Sequence, residues 1–286
     1  MKQITEFETL GDRMKKLEER SETTLLPGVP VVARLDGRAF HTWTRGMARP
    51  YDERMQQCMQ VTLIDLVDEF KPDIGYTQSD EISLVWASTS PGFDLRVQKL
   101  VSLLAARASS VFNAESRHAL GETRSLASFD CRIFNVSDVW DAVDVLKWRQ
   151  EDAVKNSIAM LAQANFSHNS LQGKHRGDMI EMLEMKGIMW EDMNEHFKRG
   201  VFARRLLHKR TLSSEELARI PEPFRTEQIG QYFVRSTVEL VGYPQIKYLA
   251  YPAIALFEKL GVDQLPLTMQ NMPTTKDVKN EDRNQE

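Results

Sequence analysis

Hydrophobic positions along the chain follow two rhythms, one helical and one extended, and their order predicts the architecture. Phe7, Leu10, Met14 and Leu17 recur at helical spacing, so residues 5–20 read as an amphipathic helix. Leu26-Pro27-Gly28 is a turn into a short apolar strand, Val31 to Leu35, which Pro30 suits as a start. His41 to Asp52 reads as a loop. Met59, Leu63, Leu66, Val67 and Phe70 form one stripe of a helix over 53–70, and Lys71-Pro72-Asp73 stops it. Ile74 to Thr77 is a strand, and Gln78-Ser79-Asp80 a polar turn. Ile82, Leu84 and Trp86 mark one face of the next strand, which Pro91-Gly92 closes. Residues 94–113 carry a strong helical pattern through Leu100, Leu104, Ala108 and Phe112. Ser128 to Phe134 alternates as a strand.

That order, βαββαβ, is the split βαβ or ferredoxin-like unit of an α+β fold. Its first and third strands are antiparallel central neighbours, about 4.8 Å apart. Asp36 ends the first and Asp80 opens the third, so the two carboxylates are expected to share one site. Two close carboxylates repel, and one is protonated unless a cation lies between them. Hard oxygen ligands with positions left for phosphate oxygens suit Mg²⁺, and two such ions suit in-line phosphoryl transfer. Taken alone, Asp36-Gly37 is also an ordinary strand-to-loop turn. A glycine there lets the backbone turn sharply, and successive amides in such a turn can cradle an anion. Glu81 neighbours Asp80, but strand alternation turns it to the other face, solvated or structurally paired.

Further on, residues 138–163 predict a long helix capped by Ser137 or Asp138, 177–185 a short one, and Phe197 to Phe202 a strand. Lys198, Arg199, Arg204, Arg205, Lys209 and Arg210 stand in one run without an acid, either a phosphate-backbone patch or a solvated basic face. Gln228 to Leu240 reads as helix, and Ile246 to Leu260 as an apolar segment interrupted by Pro252.

Composition changes this picture little. A chain of 286 residues makes one large domain or two small ones. The net charge of -4 excludes wholesale coating by nucleic acid but leaves room for a local basic patch. Cys58 and Cys131 sit in apolar segments and read as free thiols of a reducing cytosol. No apolar run approaches the roughly 20 residues that span a bilayer, and no signal core opens the chain, so the expectation is a cytoplasmic protein with no membrane. Zinc spacing, a P-loop and a nucleophile elbow are all missing.

The runs RLDGRAFHTW, MARPYD, YTQSDEISLVW, FDCRIF and WRQEDA lie in order between about Val31 and Gly200. Together they resemble the tRNA-histidine guanylyltransferase family, most closely its bacterial and phage guanylyltransferase-like branch. The resemblance implies a polymerase-type palm with a mixed α/β C-terminal extension, adding nucleotides to tRNA 5′ ends in the 3′-5′ direction. Asp36 and Asp80 would be catalytic and hold two Mg²⁺, with Gly37 adding its carbonyl. Asp36, Gly37, Arg38, Ala39, Phe40 and His41, with Ser79 and Asp80, would contact the nucleotide. Arg34, Arg49, Arg96 and Lys99 would meet the triphosphate, Arg49 standing where the eukaryotic enzymes carry Lys. The basic run Lys198 to Arg210 would contact tRNA. Also implied are GTP, ATP or other NTP substrates and a homotetramer or homodimer. The expected division is a catalytic palm over 1–136, a region over 137–272 completing the catalytic unit and contacting tRNA, and a disordered tail over 273–286. After Trp148-Arg149-Gln150, only Asn156 remains of the eukaryotic H-x-N-N-x-Y-N signature. That departure favours template-directed repair of 5′-truncated tRNA over untemplated G addition. A palm-fold nucleotidyl cyclase and a non-catalytic RNA- or nucleotide-binding module compete with this reading. The cyclase needs no basic patch, and a pure polyanion binder gains nothing from buried acids.

Overall fold

The computed structural model describes residues 9–121, 124–224, 233–242 and 245–259. Six strands form a single antiparallel sheet in the order β4-β1-β3-β2-β5-β6. They are β1 Val31–Gly37, β2 Ile74–Gln78, β3 Glu81–Trp86, β4 Phe129–Asn135, β5 Val201–Arg210 and β6 Phe233–Val241. The helices are α1 Leu10–Glu19, α2 Phe40–Trp43, α3 Glu53–Phe70, α4 Val97–Leu120, α5 Val139–Asn165, α6 His168–Leu171, α7 Arg176–Glu184, α8 Glu195–Arg199, α9 Ser214–Arg219 and α10 Pro252–Phe257.

The binary pattern explains the layering. Val31, Ala33 and Leu35 of β1 and Ile82, Leu84 and Trp86 of β3 face α3 and α4, whose stripes of Leu63, Leu66, Leu100 and Leu104 close over them. On the opposite face, Val32 and Val85 meet Ala142, Val143 and Leu146 of α5 and Leu256 and Phe257 of α10. The second half of α5 leaves the sheet and packs through Ile158 and Leu161 against α6, α7 and α8. Gly75 lets α3 press close to β2, because a Cβ there would stand 2.6 Å from the Leu63 side chain.

Several expectations are corrected. Residues 233–241 are a strand where a helix was expected, because Val234, Ser236, Val238 and Leu240 alternate and the segment pairs with β5 along its whole length. Residues 228–232 of that expectation lie outside the described residues. The strand expected from Phe197 is helix α8 up to Arg199, capped by Asn194, and Gly200 then turns the chain into β5. Pro252 opens α10 instead of interrupting an element, since a proline suits the first helical turn. Helix α1 forms, but Leu10, Met14 and Leu17 stay exposed on it; Phe7 lies outside the described residues. So does the 273–286 tail. Both cysteines are free, and burial pushes each thiol up to about 12. Among the described residues no helix is long and apolar enough to cross a membrane.

Candidate active site

The end of the sheet where β1 stops and β3 begins is acidic by register. Cα pairing sets Asp36 opposite Glu81 on β3 and opposite Asp130 on β4, so three acids stand in one row across neighbouring strands. Like charges opposite one another destabilise a sheet. Two members of the row are neutralised. Glu81 Oε1 accepts from Arg149 Nε of α5 at 2.6 Å, and Arg34 Nε lies 3.9 Å from its other oxygen. Asp130 lies 3.7 Å from Arg132. Asp36 forms no salt bridge among the described residues, and neither does Asp80. The expectation that Glu81 faces away from the site is therefore corrected. Asp80 sits in the turn, and the strand register returns Glu81 to the face of Asp36, where Arg149 and Arg34 hold it. Burial pushes the Glu81 carboxyl up, Arg149 and Arg34 pull it down, and the Asp36 charge pushes it up again.

Asp80 is placed by a hairpin. Gln78 pairs with Glu81, leaving Ser79-Asp80 as a two-residue loop with Ser79 at φ 55. The Gly37 amide donates to the Asp80 carbonyl at 3.1 Å, which fastens the end of β1 to this loop. Burial pushes the Asp80 carboxyl above its ordinary value. The Ser79 hydroxyl, donating at 3.0 Å, pulls it down, the Asp36 charge raises it and His41 lowers it. Asp36, Ser79, Asp80 and His41 thus belong to one electrostatic unit.

Gly37 must be glycine, because a Cβ would come 2.4 Å from the Phe40 ring. That ring is 3% exposed, packed among Trp43, Phe112 and Phe129. Phe40 can therefore reach a nucleotide only through its backbone. Ala39, at φ 55, turns the chain into the short helix α2. The amides of Phe40 and His41 open that helix, where no intrahelical acceptor exists. Beside the turn runs an open cleft of about 460 Å³ lined by Arg38, Ala39, Thr42, Arg45, Arg124 and Ser128, among others. Arg124 stacks on Trp43 and donates to its carbonyl.

Arg34 and Arg49 lie at this end of the sheet; Arg49 is exposed in the segment before α3. Arg96 and Lys99 do not. They begin α4 at the opposite end, where Lys99 Nζ sits 5.9 Å over the Phe93 ring. Phe112, which packs on Phe40, lies 16 residues further along α4; at 1.5 Å per residue that is about 24 Å. Within this chain the start of α4 is thus far from the place that the family resemblance implies for these two residues.

The basic run is also corrected, because its cations have internal partners. Lys198, 4% exposed, pairs with Glu195 at 2.6 Å and donates to the Glu191 carbonyl. Arg199 pairs with Glu195, Arg205 with Asp68 and Arg210 with Glu216. Arg204, 1% exposed, donates to the carbonyls of Ala255 and Glu258 at the end of α10, and burial lowers it to about 10. Lys209 is exposed near the end of β5.

A family profile described as Thg1, tRNAHis guanylyltransferase, matches residues 11–137. An uncharacterised protein of Acanthamoeba polyphaga mimivirus is 30% identical over 71% of this chain and 79% of its own length. The tRNA(His) guanylyltransferase of Neurospora crassa is 32% identical over 62% of this chain and 67% of its own. A solved bacterial tRNA(His) guanylyltransferase (Thg1)-like protein in complex with ATP superposes with a TM-score of 0.65 and 32% identity, covering 79% of this chain and 92% of that one. The chain belongs to the tRNAHis guanylyltransferase family. A second bacterial Thg1-like structure, in complex with GTP, gives a TM-score of 0.59 at 29% identity.

For this tRNAHis guanylyltransferase family member, the donor chemistry decides which cation the acids could hold. Among the described residues no group of three or more His, Cys, Asp or Glu side chains gathers in a metal-binding arrangement. Two carboxylates with a main-chain carbonyl at Gly37 leave most coordination positions to water and phosphate oxygens, and Mg²⁺ binds in that way. Arg45, Arg124 and Arg132 carry no periodic signal that would reveal them in the sequence. Arg149 does, because it lies in the Trp148-Arg149-Gln150 run and stands three residues before its second partner, Asp152.

Proposed function

We infer that this chain is a nucleotidyltransferase that adds nucleotides to tRNA 5′ ends in the 3′-5′ direction. The observation that carries the reading is the pairing of Asp36 with Asp80, two acids held side by side without a salt bridge among the described residues, next to an arginine-lined cleft. Family membership supports the tRNA substrate, and the ATP- and GTP-bound bacterial relatives support nucleoside triphosphates. The strand order β4-β1-β3-β2 supports a ferredoxin-like palm over 1–136, with 137–272 completing the catalytic unit. A homodimer or homotetramer and template-directed repair belong to the same proposal.

In the proposed reaction, the tRNA 5′-monophosphate attacks the α-phosphorus of ATP or GTP and releases pyrophosphate. The 3′-hydroxyl of an incoming NTP then attacks the activated 5′ phosphorus, and the nucleoside monophosphate leaves. Asp36, Asp80 and the Gly37 carbonyl would hold two Mg²⁺, which when bound supply charge neutralisation and align the reacting oxygens. The His41 imidazole and the amides of Phe40 and His41 position phosphate oxygens. Arg38, Arg45 and Arg124 draw the triphosphate into the cleft. Positioning and electrostatics carry such chemistry, with little covalent work for side chains.

The test is extension of a 5′-truncated tRNA labelled at its 5′-monophosphate, with Mg²⁺, ATP and NTPs, beside a reaction with NTP alone. Labelled RNA longer by one or more nucleotides is the expected product. A cyclic nucleotide from NTP alone would replace this reading with a cyclase. Bound RNA without any product would leave a binding module. Asp36→Ala and Asp80→Ala should each abolish extension while the circular dichroism stays native; full activity in either refutes the assignment.

A further inference from the structure

Helix α5 presents two chemically different faces. Arg149, Asp152 and Asn156 lie on the side turned to Glu81 and the acidic row. Lys147, Val154, Lys155 and Ile158 lie about half a turn away, since successive residues advance by about 100°. On that reverse side α5, α7, the Trp190 turn and the segment 245–247 enclose a cavity of about 350 Å³. Val154, Ile158, Ile180 and the buried Trp190 supply its apolar lining. Around it stand Lys147, Lys155, Arg176, Arg199 and Lys247, against two acids, Glu151 and Glu191.

Pairing separates this cluster from the basic run on β5. Among the described residues Lys147, Lys155 and Arg176 form no salt bridge, and Lys247 Nζ only lies over the Tyr248 ring at 4.6 Å. Arg199 alone is tied, to Glu195. Lys155, Arg176 and Lys247 are exposed, and they come from three separate segments. Cations spread in this way match successive phosphodiesters of a strand better than the compact charge of one triphosphate. The volume and apolar floor accommodate one nucleotide unit.

We propose that this cavity is an RNA-docking site, holding one nucleotide of the RNA substrate away from its reacting 5′ end, with flanking phosphates on Lys147, Lys155, Arg176 and Lys247. The proposal rests on the nucleotidyltransferase reading for the identity of the RNA. It places the RNA contact on the reverse of α5, where Arg199, already tied to Glu195, is the member of the Lys198–Arg210 run that lines the cavity.

The decisive variant is the full chain with Lys155→Glu and Arg176→Glu together, both exposed positions. Binding of a 5′-truncated tRNA is followed by fluorescence anisotropy between about 50 and 200 mM KCl. The affinity should fall at least about tenfold, and the slope of log K against log salt should shrink by about 1.4–1.8, the loss of two phosphate contacts. Extension at saturating RNA should keep its kcat and its KM for NTP, with only the KM for RNA raised. The milder Lys155→Gln, Arg176→Gln pair should move the same quantities in the same direction, which separates charge loss from misfolding. Unchanged affinity and slope would overturn the proposal. So would intact RNA binding with loss of one equivalent of bound ATP, which would assign the cavity to a free nucleotide. RNA binding that shows the expected slope in a parent chain unable to extend RNA would sink the activity reading while sustaining this site.

Discussion

Two regions of this protein concentrate charge of one sign, and they treat it oppositely. At the end of β1 and β3, Asp36 and Asp80 are held together by the Gly37 bond to Asp80 and form no salt bridge among the described residues. Along β5 and its preceding helix, the basic residues with identified partners are matched within the fold, Arg204 to two carbonyls of α10 and Arg205 to Asp68. Among the described residues the first sets like charges side by side, whereas the second pairs its cations. A ligand can relieve that repulsion, whereas a ligand at β5 would have to displace partners already in place. Uncompensated charge, more than abundant charge, marks the site.

Substitutions sharpen this contrast. Asp80→Asn should reduce extension by at least about 1,000-fold. In EDTA the same variant should unfold at slightly higher urea, by about 1 kcal/mol or less, because a repelled carboxylate has been removed. A lowered midpoint would mean that Asp80 is structurally paired after all. Next in size, Arg204→Met should destabilise the fold by about 3 kcal/mol, measured by urea unfolding, since it strips donors from buried carbonyls. Extension per folded molecule should persist.

The buried His196 gives a pH-dependent effect in the same outer region. Burial lowers it to about 3, and Gln60 lies 2.7 Å from its Nδ1. The unfolded chain binds a proton near pH 6.5 while the folded chain does not, so stability is complete above that value. It should be lost on acidification from 6.5 toward 3, by up to about 1.4 kcal/mol per pH unit. Urea midpoints at pH 7, 6 and 5 should show this slope, and His196→Gln should flatten it. The smallest effect is expected from Arg205→Gln, a half-exposed pair worth about 1 kcal/mol or less, with RNA affinity unchanged within twofold. A large loss of RNA binding there would erase the distinction between the two regions.

Much of this was legible in the residues. The stripe over 53–70 and the alternation at Ile82, Leu84 and Trp86 reflect burial against a single neighbouring layer, so local period and tertiary environment agree. The convergence of Asp36 and Asp80 followed from strand order alone. What failed depended on partners remote in sequence. Residues 233–241 are a strand because β5 lies beside them along their whole length, and their alternation alone does not announce that pairing. Asp68 and the carbonyls of α10 meet Arg205 and Arg204 from far along the chain, while Glu195 and Glu216 pair from just beyond the two ends of the run, so a run of Lys and Arg reads as a patch until those groups are in place. The family resemblance implied Arg96 and Lys99 at the triphosphate, but within this chain they begin a helix at the far end of the sheet from Asp36.

The Arg204 clamp also bears on where the chain can be shortened. Its guanidinium sits beneath the sheet with Ala255 and Glu258 as its acceptors. A protein trimmed before Pro252 would retain the cation in an apolar layer with no oxygen to receive its protons. The α10 turn therefore acts as a lid that the interior requires, and a shortened version should be recovered as aggregate even though every residue around Asp36 is still present.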